Sequence, residues 1–349
     1  DITVNSIFDK HANVFTTRAS QDDERLPVLT QFMKHTNARA PAFVGIKGAL
    51  FSNELGDGLR RGAGEKGLVA DHRLTLKGDA LDAGEVAAVI ADLEQKQPDL
   101  LFLSIGSNRN GAVMRQMIAA GVTPPLFITG RIESIPADVA GAYPSEIYQL
   151  AWDGLPDVYN DRLRKLMSRS KSESWVFEGT KVAAAPGWRT GGCKPRPDDA
   201  ATEAMSSANL RAIGIGTQFA DMVALVAAAA RVGDQKADVA ALRAQTLKQL
   251  KTTYASGRGT FQGSFENWSF GASSRAAART PLILMQAPGL GRAQLAPIQF
   301  VRLKNGVLRR IDTLYADIDL IRAFRIDDNE KSFYAEFYLS MRDTKGASI

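Results

Sequence analysis

Residues 98–121 read PDLLFLSIGSNRNGAVMRQMIAAG, and the division of this stretch decides the fold. Leu100–Ile105 is a short apolar run, bounded by Pro98-Asp99 before it and Gly106 after it. A run of that length between turn formers predicts a strand covered on both faces. Gly106–Gly111 is polar and glycine-bounded, hence a loop. From Ala112 to Ala120 the apolar residues return at helical spacing. Strand, polar loop and helix in that order form the unit from which parallel sheets are built.

The same unit recurs on either side. Candidate strands are Ala42–Ile46, Leu68–Leu76, Leu126–Thr129 and Ile147–Ala151, and candidate helices are Asn53–Glu65 and Ala83–Lys96, the latter with Val86, Val89, Ile90 and Leu93 on one face. Residues 1–155 therefore read as a doubly wound α/β lobe. Further on, Arg169–Ser207 is rich in Ser, Gly, Pro and Asp and reads as a long excursion. Helical character resumes at Asn209–Arg231 and Lys236–Tyr254, followed by a glycine-rich turn at Ser256–Gly263. Ile298–Leu303 and Leu308–Leu314 flank Asn305-Gly306, a strong hairpin signal. Residues 156–315 are read as a second, partial lobe and 316–349 as a β extension. In that extension Asp317–Ile326 and Phe333–Met341 alternate with period two around the turn Asp327–Glu330, which predicts a half-buried hairpin that needs something to pack on.

Composition excludes several functions. The 349 residues carry 43 basic and 38 acidic side chains, dispersed along the chain rather than gathered into the basic stripe of a nucleic-acid groove. One cysteine, Cys193, permits neither an internal disulfide nor a cysteine zinc site and leaves the redox compartment open. The longest apolar run, around Ala224–Ala230, falls short of the roughly 20 residues of a membrane span. The opening DITVNSIFDK lacks a basic start followed by an apolar stretch, so no signal peptide is expected there. His11, His35 and His72 have no metal-ligand spacing and no adjacent nucleophile.

In open parallel sheets, ligands bind beyond the carboxyl ends of the strands, where helix N-termini converge. That rule selects Lys47–Asn53, Gly106–Gly111, Gly130–Ser134 and Trp152–Gly154. Candidate ligand-binding residues are Phe51 and Trp152 for apolar faces, Ser52, Ser107 and Asn108 for neutral hydrogen bonds, and Arg131 for a charge-assisted fork to a carboxylate or phosphate. Ser52 could equally cap the helix that follows, and Arg131 could be a solvated loop arginine.

The order of these segments resembles the type I periplasmic binding proteins, specifically the branched-chain amino-acid binding (extracellular ligand-binding receptor) family. The resemblance is carried by Asn13–Arg18 with Asp22-Asp23, by Phe51-Ser52, Gly78–Asp82 and Pro98–Phe102, and by Met114–Gly121. It continues more weakly through Phe219–Asp221 and Gly257–Gly263 to Lys304–Gly306. It implies parallel-sheet lobes that close over an amino acid or carboxylate in an interlobe cleft. It also implies a periplasmic or extracellular location, and a membrane permease or receptor module as partner. No cofactor and no catalytic residue is implied. Two departures stand out: the family has a long first-lobe segment ahead of the point where this sequence starts, and its members place an acidic residue near Arg131, so a carboxylate ligand is expected here rather than a free amino acid. Residues 317–341 also resemble the first strands of the extracellular β-domain of prokaryotic ligand-gated channels, which would make the polypeptide the sensory part of a membrane receptor.

Other signals are weaker. Gly62–Gly67 fits a dinucleotide fingerprint by letter, but it closes a helix and precedes a strand, the reverse of what phosphate binding needs. Ser168 and Lys171 have the spacing of a serine-lysine nucleophile, the basis of an alternative reading as a hydrolase, in a charged stretch with nothing apolar to lower the lysine pKa. Asp327, Asp328 and Glu330 lack the spacing of a calcium loop. The expected function is therefore binding of a small organic ligand without chemistry.

Overall fold

The computed structural model describes residues 5–11, 13–64, 67–151, 207–233, 236–255, 259–263, 267–271, 275–288, 293–303, 305–327 and 332–342. In chain order its elements are α1 (Asn5–Lys10), α2 (Leu26–His35), β1 (Pro41–Ile46), α3 (Leu50–Gly62), β2 (Ala70–Leu74), β3 (Leu76–Lys77), β4 (Ala80–Leu81), α4 (Ala83–Lys96), β5 (Leu100–Ser104), α5 (Ser107–Ala119), β6 (Leu126–Ile128), α6 (Ala137–Ala142), β7 (Ile147–Ala151), α7 (Ser207–Arg231), α8 (Val239–Gln249), β8 (Phe261–Gln262), β9 (Asn267–Trp268), β10 (Leu282–Gln286), β11 (Gln294–Leu295), β12 (Ile298–Arg302), β13 (Leu308–Asp312), β14 (Tyr315–Asp327) and β15 (Ser332–Arg342). Two compact units result, one of residues 26–150 with 282–349 and the other of residues 1–25 with 151–281.

The first unit is built on a seven-stranded sheet of order β11-β10-β7-β6-β5-β1-β2. β2, β1, β5, β6 and β7 pair in parallel, and β11 runs antiparallel to β10. Alternation along the strands feeds two cores. Ala42, Val44 and Ile46 of β1, Leu101 and Leu103 of β5, and Leu126 and Ile128 of β6 face α4, α5 and α6, where Val89, Leu93, Met114, Met117 and Val139 close the layer. Phe43, Leu100, Phe102 and Phe127 point the other way, onto Leu29 and Phe32 of α2 and Leu55 and Leu59 of α3. Helices on both faces explain why β5 is apolar from Leu100 to Leu103 rather than alternating. α4 is capped by Asp82, whose carboxylate accepts from the Glu85 N–H at 3.0 Å. The Asp82 carboxyl is held below its ordinary pKa by its hydrogen bond to Lys77 and by that N–H.

The order of strands places a topological switch between β1 and β5. From β1 the chain moves outward to β2 and then returns across β1 to lay down β5, β6 and β7 on the other side. The loops leaving β1 and β5 therefore diverge and open a crevice at their carboxyl ends. The expected Asn-Gly hairpin is present as β12 and β13. Gln299 of β12 is buried, and its amide accepts from the Ile283 N–H at 2.9 Å and donates to the Ile283 carbonyl at 2.7 Å, standing in for a ladder partner of β10.

β14 and β15 form the expected antiparallel ribbon. Its burial differs from the expectation: of the described side chains from Ala316 to Arg325 and from Ser332 to Arg342, all but the half-buried Met341 are exposed, Phe324 the least of the large apolar ones at 38%. Alternation does sort the residues onto an apolar and a polar face, but no described element packs on either.

The second unit gathers α7, α8 and the short β8–β9 pair around Leu225, Ala229, Leu250, Trp268 and Phe270. Asp221 of α7, 1% exposed, carries a buried carboxylate that accepts from Trp268 Nε1 at 3.0 Å. The Arg279 guanidinium lies over the Trp268 ring, 4.2 Å from its centroid.

Candidate functional site

β1 ends at Ile46, and the chain turns through Gly48 into α3. Ser52, in the first turn of α3, is 3% exposed. Its hydroxyl accepts from the Ile46 N–H at 2.9 Å and donates to the Ser104 carbonyl at 3.2 Å. The hydroxyl thus fastens the α3 N-terminus to the ends of β1 and β5, and Ala49 occupies the cap position without a side-chain bond. Phe51, half-buried, packs at the margin of the α2–α3 core.

β5 ends at Ser104, and Gly106 takes a φ of +86° to become the N-cap of α5. That left-handed backbone suits glycine and lets the helix begin at once. The first N–H groups of a helix lack intrahelical partners, and Gly106 offers no side chain to take those of α5. Ser107 and Asn108 stand in this first turn, Ser107 half-buried and Asn108 exposed. Arg109 folds back to donate to the Asp79 carbonyl at 2.8 Å and the Ile105 carbonyl at 3.3 Å, tying the turn to the β3–β4 hairpin.

The loop after β6 is drawn against the same turn. Arg131 donates its backbone N–H to the Ser107 hydroxyl at 3.4 Å, Ser134 donates to the Ser107 carbonyl at 3.3 Å, and Thr129 donates to Ser104 Oγ at 3.3 Å. Ile132 donates its N–H to Gln149 of β7, whose side chain is buried. A Cβ at Gly130 would lie 2.7 Å from Ser107 Oγ and 2.9 Å from Asn110 Nδ2, so the close approach of this loop to α5 requires glycine. Serine, threonine and glutamine side chains thus tie the ends of β1, β5, β6 and β7 into one rim, and Asn110 is buried beside Gly130.

Of the residues selected from sequence, Ser107 and Arg131 are brought together directly, Asn108 lies on the same turn, Ser52 lies beneath the rim, and Phe51 sits beside it. Trp152, Ser168 and Lys171 lie outside the described residues. Sequence reading missed Ser104, Asn110, Thr129 and Gln149. The visible signal was a polar residue inside an apolar run, as in Tyr148-Gln149-Leu150. The rim segments 47–53, 106–111 and 130–134 carry Lys47, Arg109 and Arg131 against Glu133, a balance that favours an anionic group. Among the described residues no group of His, Cys, Asp or Glu is placed to hold a metal ion, and no helix is long and apolar enough to cross a membrane.

No family model matches the sequence, and no curated protein does. The structure, however, is similar to solved structures of one class. A leucine-binding protein of Thermotoga maritima superposes with a TM-score of 0.52 at 10% identity, covering 84% of this chain and 69% of its own. The substrate-binding protein of the branched-chain amino acid transporter of Streptococcus pneumoniae, solved in complex with isoleucine, gives 0.52 at 13% identity, covering 88% and 70%. The chain thus spans about two thirds of the length of these structures. Its fold is that of the type I periplasmic binding proteins, a mixed α/β fold with a mostly parallel central sheet.

Proposed function

We propose that this chain binds a small organic ligand, without chemical turnover, at the carboxyl rim of the β1–β5–β6 strands. The reading includes an extracytoplasmic setting in which a membrane permease or receptor module responds to the bound ligand. The observation that carries it is the switch between β1 and β5, which opens a crevice at the point where the uncapped N-terminus of α5 and the Arg131 loop converge. Such a crevice lets backbone N–H groups and a guanidinium grip a polar ligand group while the sheet itself stays rigid.

A carboxylate is the favoured ligand group, because Lys47 and Arg131 supply cationic side chains to the rim and the helix N-terminus adds its partial positive charge. Ser107 and Asn108 supply neutral hydrogen bonds, Phe51 and Trp152 apolar contacts, and Ser52 positions the α3 turn from below. A thermal-shift screen of amino acids, isoleucine included, against aromatic and aliphatic carboxylates tests the reading. Stabilisation by carboxylates that Arg131→Ala removes supports it. Stabilisation confined to zwitterionic amino acids and indifferent to Arg131→Ala would overturn the carboxylate assignment, and no stabilisation by any compound would overturn the binding role.

A further inference from the structure

The β14–β15 ribbon has an apolar face that strand alternation alone would not produce. Register pairs Ala316 with Met341, Ile318 with Leu339, Leu320 with Phe337 and Ala323 with Ala335, and Phe333 follows on the same side. Straight alternation along β14 would put Arg322 on this face, two residues after Leu320. The register shift between Leu320 and Arg322 instead turns Arg322 to the opposite side, where it pairs with Glu336 at 2.6 Å, and places Ala323 on the apolar side. A bulge of this kind re-aims side chains, and here it turns Arg322 away from the apolar row. The charged and amphipathic residues, Asp319, Arg322, Glu336, Tyr334 and Tyr338, share the other face.

The apolar side chains are nonetheless bare: Ile318, Leu320, Phe333, Phe337 and Leu339 are between 46% and 64% exposed. We propose that this face is a homotypic interface, covered by the same face of a second copy of the chain. Three features fit that occupant. The paired residues of the face, from Ala316 and Met341 to Ala323 and Ala335, are all uncharged, so two identical surfaces meet there without like-charge repulsion. The facing alanines Ala323 and Ala335 form a notch beside the Leu320–Phe337 row, which lets a two-fold mate seat a large side chain in it. The bare side chains offer on the order of 500 Å² per copy, so two copies together would bury about 1,000 Å², where specific interfaces begin. Stacked ribbons of this kind pack face to face at about 10 Å.

Sedimentation velocity of the full chain, with reductant present and over concentrations from low micromolar to hundreds of micromolar, tests this. A reversible monomer–dimer equilibrium is expected. Phe337→Glu and Leu339→Glu on the apolar face should each weaken it about tenfold or more, and Ala335→Lys, which fills the notch, should do the same. Tyr338→Glu on the opposite face should leave it unchanged. All four positions are exposed in the single chain, so circular dichroism and melting temperature should stay as in the wild type, and any variant that fails this control is replaced by the others. A monomer at every concentration, an assembly indifferent to the apolar-face variants, or equal weakening by Tyr338→Glu would overturn the proposal. So would a monomer that instead sediments with lipid vesicles. None of these outcomes bears on ligand binding.

Discussion

Ser52 donates its hydroxyl proton to the Ser104 carbonyl across 3.2 Å, linking the first turn of α3 to the end of β5. The same oxygen accepts the Ile46 N–H, so Ser52→Ala strands a buried donor and a buried acceptor at once. The expected cost is about 1–3 kcal/mol. Urea unfolding should show it as a lower midpoint with an unchanged slope. A midpoint equal to the wild type would mean that the hydroxyl does not hold the rim.

Gly130→Ala probes the approach of the Arg131 loop to α5. The added methyl would press on Ser107 Oγ and Asn110 Nδ2, an overpacking expected to cost about 1–3 kcal/mol. The loop should shift outward, and stabilisation by a bound carboxylate should fall with it. Unchanged stability together with unchanged ligand response would contradict the geometry of the rim.

In the second unit, Asp221→Ala removes the acceptor of the buried Trp268 Nε1–H. The expected loss is again about 1–3 kcal/mol. Asp221→Asn keeps an acceptor and should lose less, and a shift in tryptophan fluorescence should accompany the alanine variant. Equal losses for the two variants would indicate that charge rather than the hydrogen bond matters.

Acid should erode a surface cluster on β2 and α4 in a defined direction. The hydrogen bond from His72 Nε2 at 2.7 Å, and then Lys96 at 3.0 Å, hold the Asp92 carboxyl below the usual carboxylate range. A group whose pKa is lowered by folding stabilises the fold above its unfolded value, about 3.9, and that contribution fades as pH falls through the folded value. Asp92→Asn should therefore be less stable than the wild type near neutral pH, with the gap closing as the solution is acidified below about pH 4. A gap that stays constant to pH 3 would contradict the assignment.

Much of the first unit was legible in the sequence because its strands are short apolar runs between turn formers. β1, β5, β6 and β7 lie where those runs lie. Helix starts were read late: α5 begins at Ser107 rather than Ala112, because Gly106 permits an immediate start and a polar first turn at the sheet edge resembles a loop. α3 likewise begins at Leu50 rather than Asn53. β10 was not identified, although Leu282–Met285 is an apolar run, since its place in the sheet depends on a partner far away in sequence. The polar residues locking the rim escaped notice for the same reason, as Gln149 meets Ile132 only once the sheet has formed. Period two in the C-terminal ribbon was readable, whereas the absence of a described partner for its apolar face was not, because alternation reports which side is apolar and says nothing of what covers it.

Hydrogen–deuterium exchange with and without a carboxylate that raises the melting temperature locates the bound ligand on the chain. Slowed exchange is expected in residues 47–53, 106–111 and 130–134, lost in Arg131→Ala, with the C-terminal ribbon unaffected. Protection elsewhere, with these segments unchanged, would contradict ligand binding at the carboxyl rim.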